Sequence, residues 1–274
     1  MNKTISSNFE VIASAFTACS IARPIKMSFP PDSPLILIWE EFMEYDPMED
    51  WYCLIRDNHH IYGYLTFEDP LWEQQPLEGI ARENVLPIKP EIIVPASLPL
   101  LELVPLFEKS TFFFILTRND ITHVVSFYDL DKLPFKFSLF SLFMELESQL
   151  IELLTIDNYR IEKYLNLLSD QRLSKAKNLC ITKHEEETPF KLLLCTTFID
   201  KKEMLIKSPD FKDKLPFESK HKINKFFKKI EFVRNQIAHS DSILGILGVH
   251  SELNKFINDL SKLISTIAKI KNTN

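Results

Sequence analysis

Glycine is scarce in this chain. Four of its 274 residues are glycine, at Gly63, Gly79, Gly245 and Gly248. No stretch holds two glycines at the spacing of a phosphate-binding loop ahead of a helix, which excludes the Walker and dinucleotide-binding types of site. Any phosphate that this protein binds must therefore be held by other means.

Cysteines are few as well, and long apolar runs are missing. The four cysteines are Cys19, Cys53, Cys180 and Cys195. They form no Cys-x-x-Cys pair and no zinc-like cluster with histidine, so we expect reduced thiols, no metal site and a cytoplasmic location. The apolar stretch Val11–Cys19 ends faintly like a lipoprotein cleavage box, but it is far shorter than a membrane span. It predicts a short helix and no membrane partner.

The chain has no overall positive charge, and its charge is unevenly spread. The net charge is −6. Residues 1–135 carry 9 Lys or Arg against 20 Asp or Glu, a net of −11, whereas residues 136–274 carry 23 against 18, a net of +5. This argues against indiscriminate coating of nucleic acid and indicates two modules with different partners. Because 45% of the residues are hydrophobic, both modules can bury a core.

The N-terminal half contains two similar segments, each predicting a helix, a strand, a tight turn and a second strand. In the first segment these are Pro34–Glu44, Trp51–Arg56, residues 57–60 and Ile61–Phe67. In the second they are Ser97–Lys109, Thr111–Leu116, residues 117–120 and Ile121–Phe127. The spacing between them, near 60 residues, predicts an internal duplication.

Each copy ends with a hydroxyl residue followed three positions later by an aspartate. These are Thr66 and Asp69 in the first copy, and Ser126 and Asp129 in the second. A helix cap explains such a pair, because the hydroxyl caps the helix and the carboxylate favours its positive end. A ligand site is the other interpretation.

The repeated unit, closing Gly63-x-x-Thr66-x-x-Asp69, resembles the cystathionine-β-synthase-type (CBS) domain, which occurs as tandem pairs. The resemblance covers about residues 10–135. It implies that the hydroxyl residues contact phosphate and that the aspartates accept hydrogen bonds from the ribose of an adenosine-type ligand, such as AMP or ATP, between the copies. His123 stands where the second copy should have glycine, which would obstruct backbone approach there.

After residues 131–135 the pattern changes to long helical periodicity. The predicted helices include a first one with an apolar stripe through Phe140–Leu154, then Phe190–Ile206, Glu218–His239 and Asn254–Ile270. The sequence therefore predicts an α+β domain over residues 1–135, followed by an all-α bundle of about five helices over residues 136–274.

One predicted helix carries Arg234, Asn235 and His239 close together near its end. Arg234 falls at the edge of the apolar stripe, where a charge is costly unless it is paired or faces a cleft. Five residues correspond to about 140° around a helix, so Arg234 and His239 converge only if the arginine wraps around, the helix ends near His239, or a second subunit contributes. The structural alternative is a surface pair between Glu231 and Arg234 and a histidine at a helix C-terminus.

The pattern Arg234-Asn235-x-x-x-His239, near the end of the penultimate long helix, resembles the HEPN superfamily (higher eukaryotes and prokaryotes nucleotide-binding domain) over about residues 138–274. Ribonuclease members carry an arginine, a polar residue and a histidine at this spacing, and they dimerise through this helix. The resemblance implies a homodimer whose two Arg–His sets line one cleft.

The chemistry suits RNA without a metal or cofactor. The ribose 2′-OH is the nucleophile, His239 moves its proton, Arg234 donates to the non-bridging oxygens, and Asn235 orients either group. Five lysines of the same helix could contact the RNA backbone or simply be solvated: Lys220, Lys222, Lys225, Lys228 and Lys229. Of these, Lys222, Lys225 and Lys229 are the chosen candidates for RNA binding.

The two resemblances together imply a metal-independent endoribonuclease of the HEPN type, regulated by an adenine nucleotide on the CBS-like pair and suited to defence or toxin-like RNA cleavage. The alternative is a non-catalytic HEPN module for dimerisation or partner binding with a CBS-type nucleotide sensor. A third reading is an HEPN protein paired with a neighbouring nucleotidyltransferase.

Overall fold

The computed structural model describes residues 8–44, 52–58, 60–66, 70–73, 78–184, 186–211, 213–239 and 241–273. The predicted strand residues Trp51 and Phe67 and the predicted ligand residue Asp69 lie outside these ranges. The chain forms two compact units. One is residues 17–132, and the other comprises the described parts of residues 1–16 and 133–274.

The strands are β1 (Arg23–Pro24), β2 (Met27–Phe29), β3 (Tyr52–Arg56), β4 (Ile61–Thr66), β5 (Ile93–Pro95), β6 (Phe112–Thr117) and β7 (Asp120–Ser126). The α-helices are α1 (Asn8–Ala15), α2 (Leu35–Glu44), α3 (Leu100–Leu103), α4 (Leu133–Thr155), α5 (Ile161–Leu165), α6 (Asp170–Lys183), α7 (Pro189–Leu194), α8 (Phe198–Lys207), α9 (Lys220–Ala238), α10 (Leu244–Leu247) and α11 (His250–Thr273). Short 3₁₀ turns lie at Ala18–Ser20, Pro70–Glu73, Ala81–Glu83, Pro90–Ile92, Val104–Glu108, Phe127–Asp131 and Asn158–Arg160.

The unit of residues 17–132 contains two sheets that repeat one pattern. In the first, β2 is parallel to β3, and β3 is antiparallel to β4. In the second, β5 is parallel to β6, β6 is antiparallel to β7, and β1 adds to β7. The hairpins share one register displaced by 60 residues, since Tyr52 pairs with Thr66 as Phe112 pairs with Ser126. This agrees with the duplication predicted from the sequence.

The two hairpins also share a core. The rings of Tyr52 and Phe112, which are equivalent positions of the two copies, lie 4.5 Å apart between centroids. Leu54, Tyr64, Phe114 and Val124 are buried in the same cluster, and 60 residues again separate Leu54 from Phe114 and Tyr64 from Val124. These strands carry apolar residues on both faces, so one face can pack on the other hairpin while the opposite face packs on helices. Their sequences therefore lack a simple alternation of apolar and polar residues.

Two details of the copies differ from the sequence-based expectation. Each copy begins with a three-residue strand, β2 or β5, that is too short for a periodic signal. The second predicted helix, Ser97–Lys109, is an α-helix only over Leu100–Leu103 and continues as a 3₁₀ turn. Pro105 explains the change, because proline removes an amide donor and disfavours an α-helical interior.

The second unit is helical, and α4 is its central element, in contact with α1, α8, α9 and α11. The predicted boundary at residue 135 lies close to the observed one at Leu133, but α1 belongs here and not to the N-terminal unit as predicted. The reason is packing on α4. Ala13 is buried, Ser138 Oγ donates to its carbonyl oxygen at 3.4 Å, and the rings of Phe16 and Phe137 stack 6.2 Å apart.

Five helices of this unit have ten or more residues within the described ranges: α4, α6, α8, α9 and α11. The predicted helix Phe190–Ile206 is two helices, α7 and α8. Thr197 starts the second one, since its hydroxyl accepts from the amide of Asp200 at 3.2 Å and the Asp200 carboxylate accepts from the amide of Thr197 at 2.9 Å. Such a capping box begins a helix even inside an apolar stretch.

The coarse prediction is confirmed: the N-terminal part contains the sheets, and the C-terminal part is helical. Within the described ranges, none of the helices is both long and apolar enough to cross a membrane.

Candidate active site at the end of α9

Helix α9 presents the predicted catalytic residues at its C-terminus. It begins at the cap of Ser219, whose hydroxyl accepts from the amide of Lys222 at 3.3 Å, and it ends at Ala238. His239 is the C-cap, with φ −93° and ψ 5°, and its amide donates to the carbonyl oxygen of Asn235 at 3.0 Å. One of the three conditions under which Arg234 and His239 could converge is thus met, because the helix ends beside His239. The face of α9 turned to the bundle buries Ile223, Phe226, Phe227, Ile230 and Val233.

Arg234 is anchored on a neighbouring helix. Its Nη2 lies 3.3 Å from Oε2 of Glu147 in α4, and its guanidinium carbon lies 5.9 Å from the centre of the Phe198 ring in α8. The Arg234 side chain is 32% exposed, so the guanidinium is partly desolvated and still reachable. Its ion partner is therefore Glu147 and not Glu231, the partner in the surface pair that spacing along the helix suggested.

Glu147 serves a second cation. Nζ of Lys201 in α8 lies 3.3 Å from Oε1 of Glu147 and donates to the carbonyl oxygen of Thr196 at 2.7 Å. The Lys201 side chain is 2% exposed. Burial lowers the pKa of Lys201, the Glu147 carboxylate opposes that shift, and the charge of Arg234 adds to it. The carboxylate of Glu147 is thus shared, with one oxygen facing each cation.

Sequence reasoning missed the role of Glu147 and Lys201. The periodicity of the first predicted helix places Glu147 away from the apolar stripe, and nothing in its spacing links it to Arg234. A signal was present in Lys201, a charged residue inside an apolar stretch, because a buried ammonium requires an acidic partner. Only the packing of α4, α8 and α9 identifies that partner.

His239 and Asn235 are exposed to solvent. No hydrogen bond or ion pair within the described part of the chain restrains the His239 imidazole. The side chain of Arg234 is directed to α4 and α8, so the structure of one chain does not join Arg234 to His239. A shared site between two subunits stays a prediction.

The three lysines predicted to bind RNA have different surroundings. Lys222 forms an ion pair with Glu218, and Nζ of Lys229 lies 5.6 Å from the centre of the Phe256 ring. Lys225 is exposed, and so is Lys228, another lysine of the same predicted basic set.

In the second repeat of the N-terminal unit, Ser126 and Asp129 form a helix cap. Oδ2 of Asp129 accepts from the Ser126 amide at 2.7 Å and from its hydroxyl at 2.9 Å. Oδ1 lies 3.3 Å from Arg23 Nε and 2.9 Å from Lys132 Nζ. Both oxygens of this buried carboxylate are therefore engaged within the protein, as the capping interpretation requires.

In the first repeat, Thr66 is the last residue of β4, and its carbonyl oxygen accepts from Trp72 Nε1 at 2.7 Å. Gly63 has a packing role: a Cβ there would lie 2.4 Å from the carbonyl oxygen of Leu86. At the equivalent position of the second repeat, His123 pairs with Pro24 of β1. The glycine of the first repeat and the histidine of the second therefore have different neighbours, Leu86 and Pro24.

No protein-family model matches the chain, and no curated protein matches it. Among solved structures, the chain is similar to one described as "Crystal structure of Hypoxic Response Protein I (HRPI) with two coordinated zinc ions". The likeness has 15% sequence identity and a TM-score of 0.31, and it covers 42% of this chain and 95% of that one. A TM-score this low carries no argument about fold or function.

The arrangement around α9 is suited to bind an anion. The guanidinium has five N–H donors, and the contact with Glu147 leaves others for a phosphate oxygen. The exposed imidazole of His239, at the end of the same helix, could accept or donate a proton. In the part of the chain that the structure describes, no three side chains of His, Cys, Asp or Glu are grouped so as to hold a metal ion.

Proposed function

We propose that this protein is a metal-independent endoribonuclease of the HEPN type that works as a homodimer. One observation carries the proposal: an arginine is held in a fixed, partly exposed position by Glu147, and a histidine lies open to solvent at the end of the same helix. Cleavage of an RNA phosphodiester needs a cation that stabilises charge on the phosphate oxygens and a group that accepts and donates a proton. The arginine and the histidine are groups of these two kinds.

In the proposed reaction the ribose 2′-oxygen attacks phosphorus and the bond to the 5′-oxygen breaks. His239 accepts the 2′-hydroxyl proton, and the resulting imidazolium donates a proton to the leaving 5′-oxygen. Arg234 stabilises the charge that builds on the non-bridging oxygens, and Asn235 orients the imidazole or a phosphate oxygen. The products are a 2′,3′-cyclic phosphate and a 5′-hydroxyl.

One chain does not bring the two catalytic candidates together. Arg234 and His239 diverge along α9, and they line neither of two hollows of about 260 and 250 Å³ on the helical unit. In the dimer that we propose, Arg234 of one subunit faces His239 of the other across a two-fold axis. The cleft for RNA then exists only in the assembly.

The test is incubation of the purified protein with total RNA, with and without EDTA. We expect cleavage that survives EDTA, gives cyclic phosphate ends, and falls at least about 100-fold in Arg234→Ala and in His239→Ala. Cleavage that disappears with EDTA, or that persists in both variants, would contradict the assignment.

A non-catalytic bundle for partner binding is the second candidate function. The observation that favours it is that Arg234 already has an ion partner, Glu147, and an aromatic contact, Phe198, which are sufficient reasons for an arginine at that position. The same incubation decides, since this candidate predicts that wild-type protein and His239→Ala leave RNA equally intact.

For the N-terminal unit we propose regulation by an adenine nucleotide bound at the first repeat through Thr66 and Asp69. The first repeat is favoured because the Asp129 carboxylate of the second is engaged by Ser126, Arg23 and Lys132. Calorimetry should detect AMP or ATP binding that Thr66→Val removes. If AMP, ATP and S-adenosylmethionine give neither binding heat nor a thermal shift, the proposed binding of those ligands is wrong. If RNA cleavage is the same with and without a bound nucleotide, the proposed regulation of cleavage is wrong.

A further inference from the structure

One face of α9 forms a straight, solvent-exposed stripe. Its members lie three or four residues apart, the spacing that keeps side chains on one side of a helix. They are His221, Lys225, Lys228, Phe232, Asn235 and His239, and all are exposed. We name these six residues the α9 stripe. Arg234 lies outside it, on the flank that faces Glu147.

Phe232 is the unusual member of the α9 stripe. The other phenylalanines of the helix, Phe226 and Phe227, are buried in the bundle at 9% and 1% exposure. Phe232 is 50% exposed, so it contributes little to the core. An exposed aromatic ring on a polar face has a free surface on which another flat group can stack.

The charges next to Phe232 are positive. Lys228 lies one turn before it and Lys225 lies two turns before it, and the α9 stripe contains no acidic residue. The nearest acid in the sequence, Glu231, is half-buried and lies off the stripe. Exposed lysines beside an exposed aromatic ring are the combination by which proteins hold single-stranded nucleic acid, with cations on the phosphates and a ring under a base.

We propose that the α9 stripe is the path of single-stranded RNA and that Phe232 is a substrate-positioning platform on which one base stacks. Lys225 and Lys228 contact the backbone on one side of that base, and His239 meets the phosphodiester on the other. Phe232 is seven residues from both Lys225 and His239, about 10 Å along the helix. This inference rests on the proposed function, because it assigns RNA as the ligand of the same site.

A second copy of the chain is the competing occupant of this face. The cores of protein interfaces are depleted in lysine and are largely apolar. The α9 stripe has two lysines, two histidines and an asparagine around a single phenylalanine. The composition therefore favours a polyanion over a second protein surface around Lys225, Lys228 and Phe232, whereas the proposed dimer brings a second subunit to His239 at the end of the stripe.

The test is binding of a single-stranded RNA oligonucleotide whose riboses are all 2′-O-methylated, so that the nucleophile is blocked. We expect Phe232→Ala to weaken binding roughly 5- to 150-fold, the loss of one base stacked on an aromatic side chain, and Phe232→Trp to retain it. Phe190→Ala is the matched control, since Phe190 is 46% exposed in α7 of the same unit and should bind like the wild type. Sedimentation velocity on each variant reports the oligomeric state.

Equal binding by Phe232→Ala and the wild type overturns the inference. It is also overturned if Phe232→Ala changes the oligomeric state while the affinity for RNA per chain is kept, because Phe232 would then belong to a protein interface. If unmodified RNA is not cleaved by the wild type, the proposed catalysis fails, and the binding of methylated RNA still decides the role of Phe232.

Discussion

At the scale of single residues, the key contact is the carboxylate of Glu147 between two cations. On one side of the carboxylate is Lys201, which has almost no solvent exposure. On the other is Arg234, with about a third of its side chain exposed to solvent. Each oxygen of the carboxylate faces one of the two cations, so Glu147 contacts the Arg234 guanidinium directly and orients it. Glu147 is therefore a positioning residue for Arg234.

The substitution Glu147→Gln tests this role. It keeps the shape of the side chain but removes the charge that holds Arg234, so we expect kcat for RNA cleavage to fall about 10-fold or more with KM little changed. Stability should fall by about 3 kcal/mol as well, because Lys201 is left buried without its counter-charge.

Lys201→Met is the control for that experiment. It changes stability by removing the buried cation, but it leaves the contact between Glu147 and Arg234, so kcat should stay near the wild-type value. If both variants lose kcat in proportion to their loss of stability, Glu147 is structural only.

At the scale of elements, the capping box of Thr197 and Asp200 at the start of α8 sets the positions of Phe198 and Lys201. Asp200 there accepts from Thr197 Oγ1 at 2.7 Å and from Arg172 Nη1 at 2.6 Å, and it is buried. Burial alone would raise the pKa of Asp200, but the hydrogen bonds from Arg172 and Thr197 outweigh it and lower the pKa below its ordinary value of 3.8. The cap is thus strongest while Asp200 is ionised.

We expect Asp200→Asn to destabilise the protein by about 1–3 kcal/mol at pH 7, measured by urea unfolding. Because the folded-state pKa of Asp200 is depressed, its contribution is complete above the unfolded pKa, near 3.8, and is lost as the pH falls through the lower folded value. The difference between wild type and variant should therefore shrink below about pH 4. Asp170→Asn, at an exposed acid in the first turn of α6, is the control. A difference that stays constant from pH 7 to pH 3 would contradict this account.

At the scale of the whole molecule, the question is whether Arg234 and His239 of different subunits form one site. A heterodimer of an Arg234→Ala chain and a His239→Ala chain, purified through two different tags, has one intact cross-subunit site out of two. We expect about half of the wild-type RNA cleavage from it, although each parent homodimer is inactive. A heterodimer as inactive as its parents would mean that each chain uses its own pair, or that no such site forms.

The sequence alone predicted the two strand hairpins of the N-terminal unit and the longest helices of the C-terminal unit, in their order. The 60-residue spacing predicted the duplicated strands, and the three-and-four spacing of apolar residues predicted α9 and α11 within a few residues. These features are local or periodic, so residues close together in the sequence determine them and distant contacts are not needed. The break between α7 and α8 is also determined locally, by the capping box at Thr197. The apolar residues on both sides of Thr197 obscure this signal in the sequence.

Tertiary structure decided what the polar residues do. It assigned α1 to the helical unit, turned Ser126 and Asp129 into a cap satisfied by Arg23 and Lys132, and gave Arg234 its partner. Glu147 is 87 positions before Arg234 in the chain, and no spacing rule links residues that far apart. Such a pair forms because packing brings three helices together and excludes water, which makes an unpaired charge too costly to leave there.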